Sequence, residues 1–298
     1  MMLAPRVVVV HRRTELEELV DRHGTRGQAE FFLRGRGRDL AAVQRPHDAD
    51  AAARQQVAVS VPGDWRRGTV ERADLDRFRF EDGDVVVVVG QDGLVANVAK
   101  YLAGQPVVGV NPDPERNPGV LVRHPPDRVA RLLADVVAER AGVERRTMVA
   151  AKLDDGQTLL AVNEIFAGHS THQSARYTLT APGREPERQS SSGVIVGTGT
   201  GATGWCASLV RGRAAPPRLP SPADRTLAWF VREAWPSPST GTSCVDGLLA
   251  AGDGLELAAE TDGLVVFGDG LEADRLVLSW GQQLRVGVAD ATLCLVTG

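Results

Sequence analysis

The sequence predicts an α/β domain with a parallel sheet at residues 1–142, followed by a β-rich domain at residues 143–298. Three observations support this fold class. The first half alternates short β-branched runs with stretches of helical periodicity, as parallel α/β sheets do. The second half repeats short strand-like runs separated by turn residues, which indicates antiparallel β structure. A length of 298 residues also suits two domains of ordinary size.

The α/β half begins with a short apolar strand at 6–10, which is followed by a capped helix. Thr14 and Glu17 have the spacing of a capping box, and Gly24 is suited to the end of that helix. A second helical segment follows. We then expect a strand at 57–61, where valines alternate with small residues.

Five consecutive valines at 85–89 predict a strand that is buried on both faces. The strand should end at Gly90, and helical spacing begins at Leu94 and continues to a capping glycine, Gly104. Asp92 therefore lies in a tight turn between strand and helix. Ligands of open α/β sheets bind beyond the carboxyl ends of the strands, so Asp92 is either a helix N-cap or a functional carboxylate.

Another buried strand is expected at 107–110, ending in Asn111, and an amphipathic helix at 127–140 follows a proline-rich loop. The β-rich half contains a succession of strands with hairpin-like turns between them. Its arginine- and proline-rich segment, 211–243, is expected to be a loop with one inserted helix at 224–234.

Composition excludes several classes of protein. The net charge is −4 and no basic stripe with interleaved aromatic residues occurs, so we expect no nucleic-acid partner. Cys206, Cys244 and Cys294 are too few and too widely spaced for a disulfide framework or a zinc site, and they suit a reducing compartment. No run has the apolar length of a signal peptide or a membrane span, so we expect a cytoplasmic protein without a membrane partner.

A Gly-rich element, SSSGVIVGTGTGATGW at 190–205, places a strand directly before alternating glycines and threonines. Alternating glycines leave backbone N–H groups free to point at one anion, and threonine hydroxyls add donors, so the composition is that of a phosphate cradle. The candidate residues are Thr198, Gly199, Thr200, Gly201 and Thr203.

The Gly-rich element at 190–205 can be interpreted in three other ways. A dinucleotide fingerprint needs a second strand ending in an acid about twenty residues later, and the proline-rich sequence RGRAAPPRLPSP stands there instead. A Walker-type phosphate loop is absent from the sequence. A Gly-rich turn without a ligand remains an alternative.

Asn163 and Glu164 interrupt the apolar run LLAVNEIFAG. Neighbouring residues of a strand face opposite sides, so the pair can share a site only where the strand ends or bulges. Without such a feature, the two residues would be ordinary polar residues of a strand edge.

Together these elements resemble a known family. GQDG at 90–93, VNE at 162–164 and GTGTGATGW at 197–205 are similar, in order and spacing, to the GGDGT, NE and TPTGSTAY motifs of NAD kinases. GVNPDPERNPGVL at 109–121 looks like the family's Gly-Ile-Asn loop, and VVFGDG at 265–270 looks like its late Asp-Gly turn. Diacylglycerol and sphingosine kinases share the first motif, but they carry Gly-Thr-Gly-Asn-Asp in place of the Asn-Pro that follows the fourth predicted strand.

The resemblance implies a NAD kinase-like two-domain architecture, with a Rossmann-like N-terminal domain and a β-rich C-terminal domain. It implies an ATP-dependent kinase, with Mg²⁺ as cofactor, that phosphorylates a hydroxyl of a small-molecule acceptor, NAD before others, and that assembles as a homo-oligomer. Polyphosphate is an alternative donor. By similarity Asp92 would be catalytic and accept the hydroxyl proton. The residues implied to bind nucleotide or phosphate are Gly90, Gln91, Gly93, Asn111, Thr198, Gly199, Thr200, Gly201 and Thr203. Those implied to bind the acceptor are Asn163, Glu164 and Trp205.

The departures from the family pattern fall on the acceptor side. Gln91 replaces a glycine, Leu94 a threonine, Ala202 a serine and Trp205 a tyrosine, and Ser192 stands where an aspartate is usual. A binding site in which the polar groups that recognise a ligand are replaced loses affinity for that ligand. A nucleoside, a sugar or another polyol is therefore an alternative acceptor, and a nucleotide-binding sensor without turnover is the alternative from another class.

Overall fold

The computed structural model describes residues 4–298, which form two compact units. The N-terminal unit comprises the chain up to Glu144 together with Cys294–Gly298, and the C-terminal unit comprises Arg145–Leu293. The first unit has a parallel sheet with helices and the second has antiparallel sheets, which confirms the predicted fold class.

The N-terminal unit is built on one parallel sheet. Its elements, in chain order, are β1 (Arg6–His11), α1 (Glu15–His23), α2 (Arg26–Arg34), α3 (Ala41–Ser60), β2 (Arg66–Glu71), β3 (Asp84–Val89), α4 (Asp92–Ala99), β4 (Pro106–Val110) and α5 (Val129–Val137). The strand order is β2-β1-β3-β4, and all neighbours are parallel. Cys294 and Leu295 pair with β4 in the same direction.

Strand β3 is the centre of this unit, and all six of its residues are buried. Val85, Val87 and Val89 pack into a core shared with α3 and α5. At its start the Asp84 carboxylate binds the Arg6 guanidinium through two hydrogen bonds of 2.7 and 2.6 Å, which ties β3 to β1. The predicted strand, buried on both faces, is confirmed. The turn after it therefore follows directly from a tightly packed strand.

The predicted capping box of α1 is also confirmed. The Thr14 side chain accepts a hydrogen bond from the Glu17 backbone N–H, and the Glu17 carboxylate accepts one from the Thr14 N–H at 2.6 Å. Gly24 ends the helix with a φ of 84°, a conformation that glycine adopts without steric cost. Local chemistry thus sets both ends of this helix.

The C-terminal unit is almost entirely β structure. Its elements are β5 (Val143–Leu153), β6 (Thr158–Ala161), β7 (Glu164–His169), β8 (Ala175–Thr180), β9 (Glu187–Ser191), β10 (Val194–Gly197), α6 (Trp205–Arg211), β11 (Thr226–Val231), β12 (Asp246–Ala250), β13 (Leu255–Ala259), β14 (Leu264–Gly268), β15 (Leu276–Leu278) and β16 (Gln283–Val296). Strand β5 begins, and β16 ends, in the N-terminal unit.

Two sheets enclose the core of this unit. One has the antiparallel order β12-β11-β10-β7-β14-β15, and the other joins β9, β8, β13 and β16 with the β5–β6 hairpin. Both contribute to a single apolar cluster that contains the fully buried Tyr177 and Trp229. Helix α6 packs on the outer face of the first sheet through Cys206 and Leu209.

Two elements expected from the sequence are wrong. Residues 57–61 form no strand, because α3 continues to Ser60 and buries Val57 in the core of the N-terminal unit. The expected helix at 224–234 is instead β11, whose residues are buried between β10 and β12. In both segments tertiary packing overrides the local pattern. Helix α4 also ends at Ala99, before the expected Gly104.

Candidate functional site

Asp92 stands at the first residue of α4, directly after the turn that follows β3. Its carboxylate does not cap the helix, since Gln91 is the N-cap residue and makes no side-chain capping bond. Instead, Oδ1 accepts hydrogen bonds from the backbone N–H groups of Leu121 and Val122 at 2.8 and 2.9 Å. The Val120 N–H is shared between Oδ1 at 3.1 Å and Oδ2 at 2.9 Å. The N-cap interpretation of Asp92 is therefore wrong.

The loop after β4 supplies these N–H groups, and Asn111 shapes it. The buried Asn111 amide donates to the Asn117 carbonyl at 2.6 Å, and its oxygen accepts from the Asp113 N–H at 3.1 Å. Gly119 has a φ of 69°, and a Cβ there would lie 2.3 Å from the Val122 carbonyl oxygen. The Asn111 side chain therefore holds the loop that binds Asp92.

Of the other predicted residues of this turn, Gly90 is buried, whereas Gln91 and Gly93 are open to solvent. Gly90 has a φ of 151°, and its Cα faces the Leu94 side chain, so a Cβ would lie 3.2 Å from a Leu94 methyl group. Gln91 and Gly93 are exposed, and no atom lies within 4 Å of the position that a Cβ would take on Gly93. The backbone at Gly93 is thus accessible to a ligand at the N-terminus of α4.

In the C-terminal unit, Asn163 and Glu164 occupy a break between strands. Strand β6 ends at Ala161 and β7 begins at Glu164, so the intervening residues form a bend. The backbone N–H of Asn163 donates to the Asp269 carboxylate at 2.7 Å. The strand interruption that a shared site requires is therefore present.

The Gly-rich element lies directly against this pair. Gly197 is the register partner of Glu164 between β10 and β7, and the Thr198 N–H donates to the Asn163 carbonyl at 2.8 Å. A Cβ on Gly201 would lie 2.4 Å from the Asn163 carbonyl oxygen and 3.0 Å from a Glu164 carboxyl oxygen. Two motifs that are far apart in sequence therefore form one cluster within the C-terminal unit.

Within this cluster the threonines differ in role. The buried Thr198 hydroxyl donates to the Val162 carbonyl at 2.5 Å and accepts from the Thr200 N–H at 3.0 Å, so it shapes the loop. Thr200 is half-buried and Thr203 is exposed. A Cβ on Gly199 would lie 2.0 Å from the Ser221 carbonyl, so close backbone approach also requires glycine there.

The pKa of the Glu164 carboxyl group in this cluster is strongly perturbed. Burial first, and then the charge of Asp269, raise the pKa of Glu164 to about 7. At neutral pH the side chain therefore exchanges between a carboxylate and a neutral carboxyl group. The neutral form can donate as well as accept a hydrogen bond.

The raised pKa of Glu164 predicts a pH-dependent stability. Between about pH 4.5 and 7 the unfolded state releases this proton while the folded state keeps it, so the free energy of unfolding falls as the pH rises. Glu164→Gln should not show this loss, so its free energy of unfolding should gain on the order of 3 kcal/mol relative to wild type between about pH 4.5 and 7. Urea unfolding at several pH values measures it. Glu272→Gln, at an exposed carboxyl group, is the control; parallel curves for wild type and Glu164→Gln would contradict the expectation.

Trp205 begins α6 beside the same cluster. Its ring stacks on Phe166 with centroids 5.8 Å apart and planes inclined by 13°, and the Arg232 guanidinium lies 5.3 Å from the Trp205 ring centroid. The side chain is half-buried, so one part of the indole remains accessible. This placement is suited to stacking against a flat ligand.

Sequence reasoning missed two residues of this cluster. Arg146 is buried, and its guanidinium lies 3.5 Å from the Thr200 hydroxyl. Asp269 reaches the Val162 and Asn163 N–H groups from more than one hundred positions away. No local signal singled out Arg146, because it is the last of three consecutive charged residues at the start of β5. Asp269 was noted only as part of the late Asp-Gly turn.

Within residues 4–298, no three His, Cys, Asp or Glu side chains are grouped so that they could hold a metal ion. In the same residues, no helix combines the length and apolar character that crossing a bilayer requires.

Comparison with known sequences points to one kind of enzyme, although no family model matches the chain. The NAD kinase of Psychrobacter arcticus is 32% identical over 133 residues, which cover 42% of this chain and 40% of that protein. The NAD kinase of Ralstonia nicotianae is 31% identical over 132 residues, which cover 42% of this chain and 43% of that protein. The chain thus matches less than half the length of these curated relatives.

Solved structures extend the similarity over nearly the whole chain. An NAD kinase from Archaeoglobus fulgidus, in complex with ATP, has a TM-score of 0.57 at 17% identity and covers 98% of this chain and 93% of that one. Yeast NADH kinase, complexed with NADH, has a TM-score of 0.61 at 14% identity, with coverage of 100% and 84%. The chain is similar to NAD kinases in part of its sequence and in its fold. The NAD kinase resemblance and the two-domain architecture expected from the motifs are confirmed.

Proposed function

We propose that this chain is an ATP-dependent kinase that transfers a phosphoryl group to a hydroxyl of NAD and so forms NADP. The observation that carries the proposal is Asp92, which is held in one orientation at the carboxyl end of β3 by three backbone N–H groups. The names of the related proteins, NAD kinase and NADH kinase, support the choice of reaction.

Asp92 is proposed to accept the proton of the attacking hydroxyl. Its Oδ1 receives three of the loop hydrogen bonds, whereas Oδ2 receives only the one from Val120 among the described residues. A carboxylate oxygen has two lone-pair sites, so Oδ2 keeps one for the acceptor hydroxyl. In phosphoryl transfer, the protein contributes mainly by positioning the reacting groups and by stabilising charge.

The phosphates of ATP are proposed to lie against the backbone of the turn after β3. Helix N-termini favour anions, and the exposed Gly93 leaves open space at the start of α4. The Gly-rich loop is proposed as a second anion-binding backbone, with the Thr200 hydroxyl and the nearby Arg146 guanidinium as its polar groups. Gln91 is exposed at the start of the helix. Its side-chain amide would add a polar group at a position where the family pattern has a glycine.

The acceptor is proposed to bind the cluster of the C-terminal unit. Asn163 and Glu164 offer an amide and a carboxyl group that match the hydroxyls of a ribose, and Trp205 offers a ring face for stacking. Because Glu164 titrates near neutrality, it can donate to one ribose oxygen and accept from another.

Mg²⁺, oligomerisation and location also belong to the proposal. Mg²⁺ in kinase sites is bound largely by substrate phosphates and water, so it needs no cage of protein ligands and would arrive with ATP. We propose a homo-oligomer in the cytoplasm; the three buried free cysteines support a reducing compartment.

The test is a phosphorylation assay with the whole chain. Purified protein is incubated with Mg²⁺ and either ATP or polyphosphate, with NAD, NADH, adenosine or glucose as acceptor, and phosphorylated product is separated by chromatography. NADP formation from NAD is the expected result. Phosphorylation of another acceptor alone would replace NAD in the proposal, and saturable nucleotide binding without any product would identify a sensor.

A further inference from the structure

Asp269 is bound to Asn163 and Glu164, the two residues proposed to bind the acceptor. It follows β14, and its carboxylate accepts hydrogen bonds from the backbone N–H groups of Val162 at 2.9 Å and Asn163 at 2.7 Å. Its own N–H donates to the Glu164 carbonyl at 3.1 Å. Both residues of the bend between β6 and β7, and the first residue of β7, are therefore bound to this one residue.

The backbone of Asp269 is in an unfavourable conformation. Its φ of 53° lies in the left-handed region, which costs a residue with a Cβ roughly 1 kcal/mol. Asparagine and glycine would occupy this conformation at equal or lower cost. The residue type is thus not explained by the turn alone, and the carboxylate has a separate purpose.

We propose that Asp269 is a positioning residue of the acceptor site, which orients Asn163 and Glu164 toward a ribose diol through the backbone of the bend. Hydrogen bonds from N–H groups to a carboxylate are stronger than those to a neutral oxygen, so the bend is held more tightly than an amide could hold it. This inference rests on the proposed function for the identity of the acceptor.

The charge of Asp269 has a second effect on the same pair. Together with burial it raises the pKa of Glu164. Burial is the larger cause of this shift, and the Asp269 charge adds to it, so that part of the Glu164 population is protonated near neutral pH. A protonated Glu164 donates to a ribose oxygen, which the carboxylate cannot do.

Asp269→Asn and Asp269→Gly test the proposal, because both residues suit the left-handed backbone and both remove the charge. Glu272→Gln removes an exposed carboxylate of the same turn and is the matched control. The measurements are kcat and KM for NAD, the melting temperature, and the midpoint of the Glu164 carboxyl titration by ¹³C NMR of the whole chain.

Both Asp269 variants should raise the KM for NAD roughly tenfold with a smaller change in kcat. Both should also move the Glu164 midpoint from about 7 toward the ordinary value of 4.5. A KM for NAD within about twofold of wild type in folded Asp269 variants would overturn the proposal, because Asn163 and Glu164 would then be oriented without the carboxylate. A shifted midpoint in a protein whose wild type makes no NADP would support the role of Asp269 and refute NAD phosphorylation instead.

Discussion

Asp92→Asn should lower kcat for NAD phosphorylation by roughly 10²- to 10⁴-fold, the range that a lost general base costs. An asparagine oxygen still accepts hydrogen bonds from the loop, but the amide cannot take a proton from the acceptor hydroxyl. The KM for NAD should change little, because Asn163, Glu164 and Trp205 are untouched. Steady-state kinetics of purified wild type and variant measure both parameters.

A structural effect of Asp92→Asn must be separated from a catalytic one, because the carboxylate also binds the loop at Val120–Val122. Amide hydrogen exchange at those three positions reports whether the loop is still held. Glu115→Gln, at an exposed carboxyl group of the same loop, is the control for the change in charge. If Asp92→Asn kept kcat within about threefold of wild type, Asp92 would not be the base.

Gly201→Ala should strongly weaken the proposed acceptor binding and destabilise the C-terminal unit. The added methyl group would lie 2.4 Å from the Asn163 carbonyl oxygen, a backbone atom that cannot move without displacing the bend between β6 and β7. Overpacking of this kind costs roughly 1–3 kcal/mol of stability. We expect the KM for NAD to rise by about a hundredfold or more, since displacements of about 1 Å cost that much in a positioned site.

Calorimetric melting and NAD titration test this expectation. Gly212→Ala, at the end of α6, is the matched control, because its methyl group would lie 3.9 Å from the Leu209 carbonyl oxygen, an ordinary van der Waals distance. A Gly201→Ala protein that melts and binds NAD like Gly212→Ala would show that the close approach has no functional consequence.

The sequence predicted those features that depend on a few adjacent residues. The valine run fixed β3 because only burial on both faces suits five β-branched residues in a row, and the capping box fixed the start of α1. The segments at 57–61 and 224–234 were assigned wrongly because short apolar runs fit helix and strand alike. In these two segments, packing against neighbouring elements determines whether a helix or a strand forms.

The same limit applies to the candidate site. Asp92, Glu164 and the Gly-rich loop could be singled out because their motifs are contiguous. The partners of Asp92 lie 28 to 30 positions away, and those of Asp269 lie 106 and 107 positions away. Hydrogen bonds over such separations leave no periodic pattern in a single sequence, so the role of Asp269 emerged only from the structure.

The pairing of Cys294 and Leu295 with β4 has a consequence for biosynthesis. A ribosome makes the N-terminal unit first, yet the apolar edge of β4 gains its neighbour only after all of Arg145–Leu293 has been translated. Until then the nascent sheet presents an unpaired strand, which is the kind of edge that invites association between chains. The sheet of the N-terminal unit is therefore completed only after the C-terminal unit has been translated.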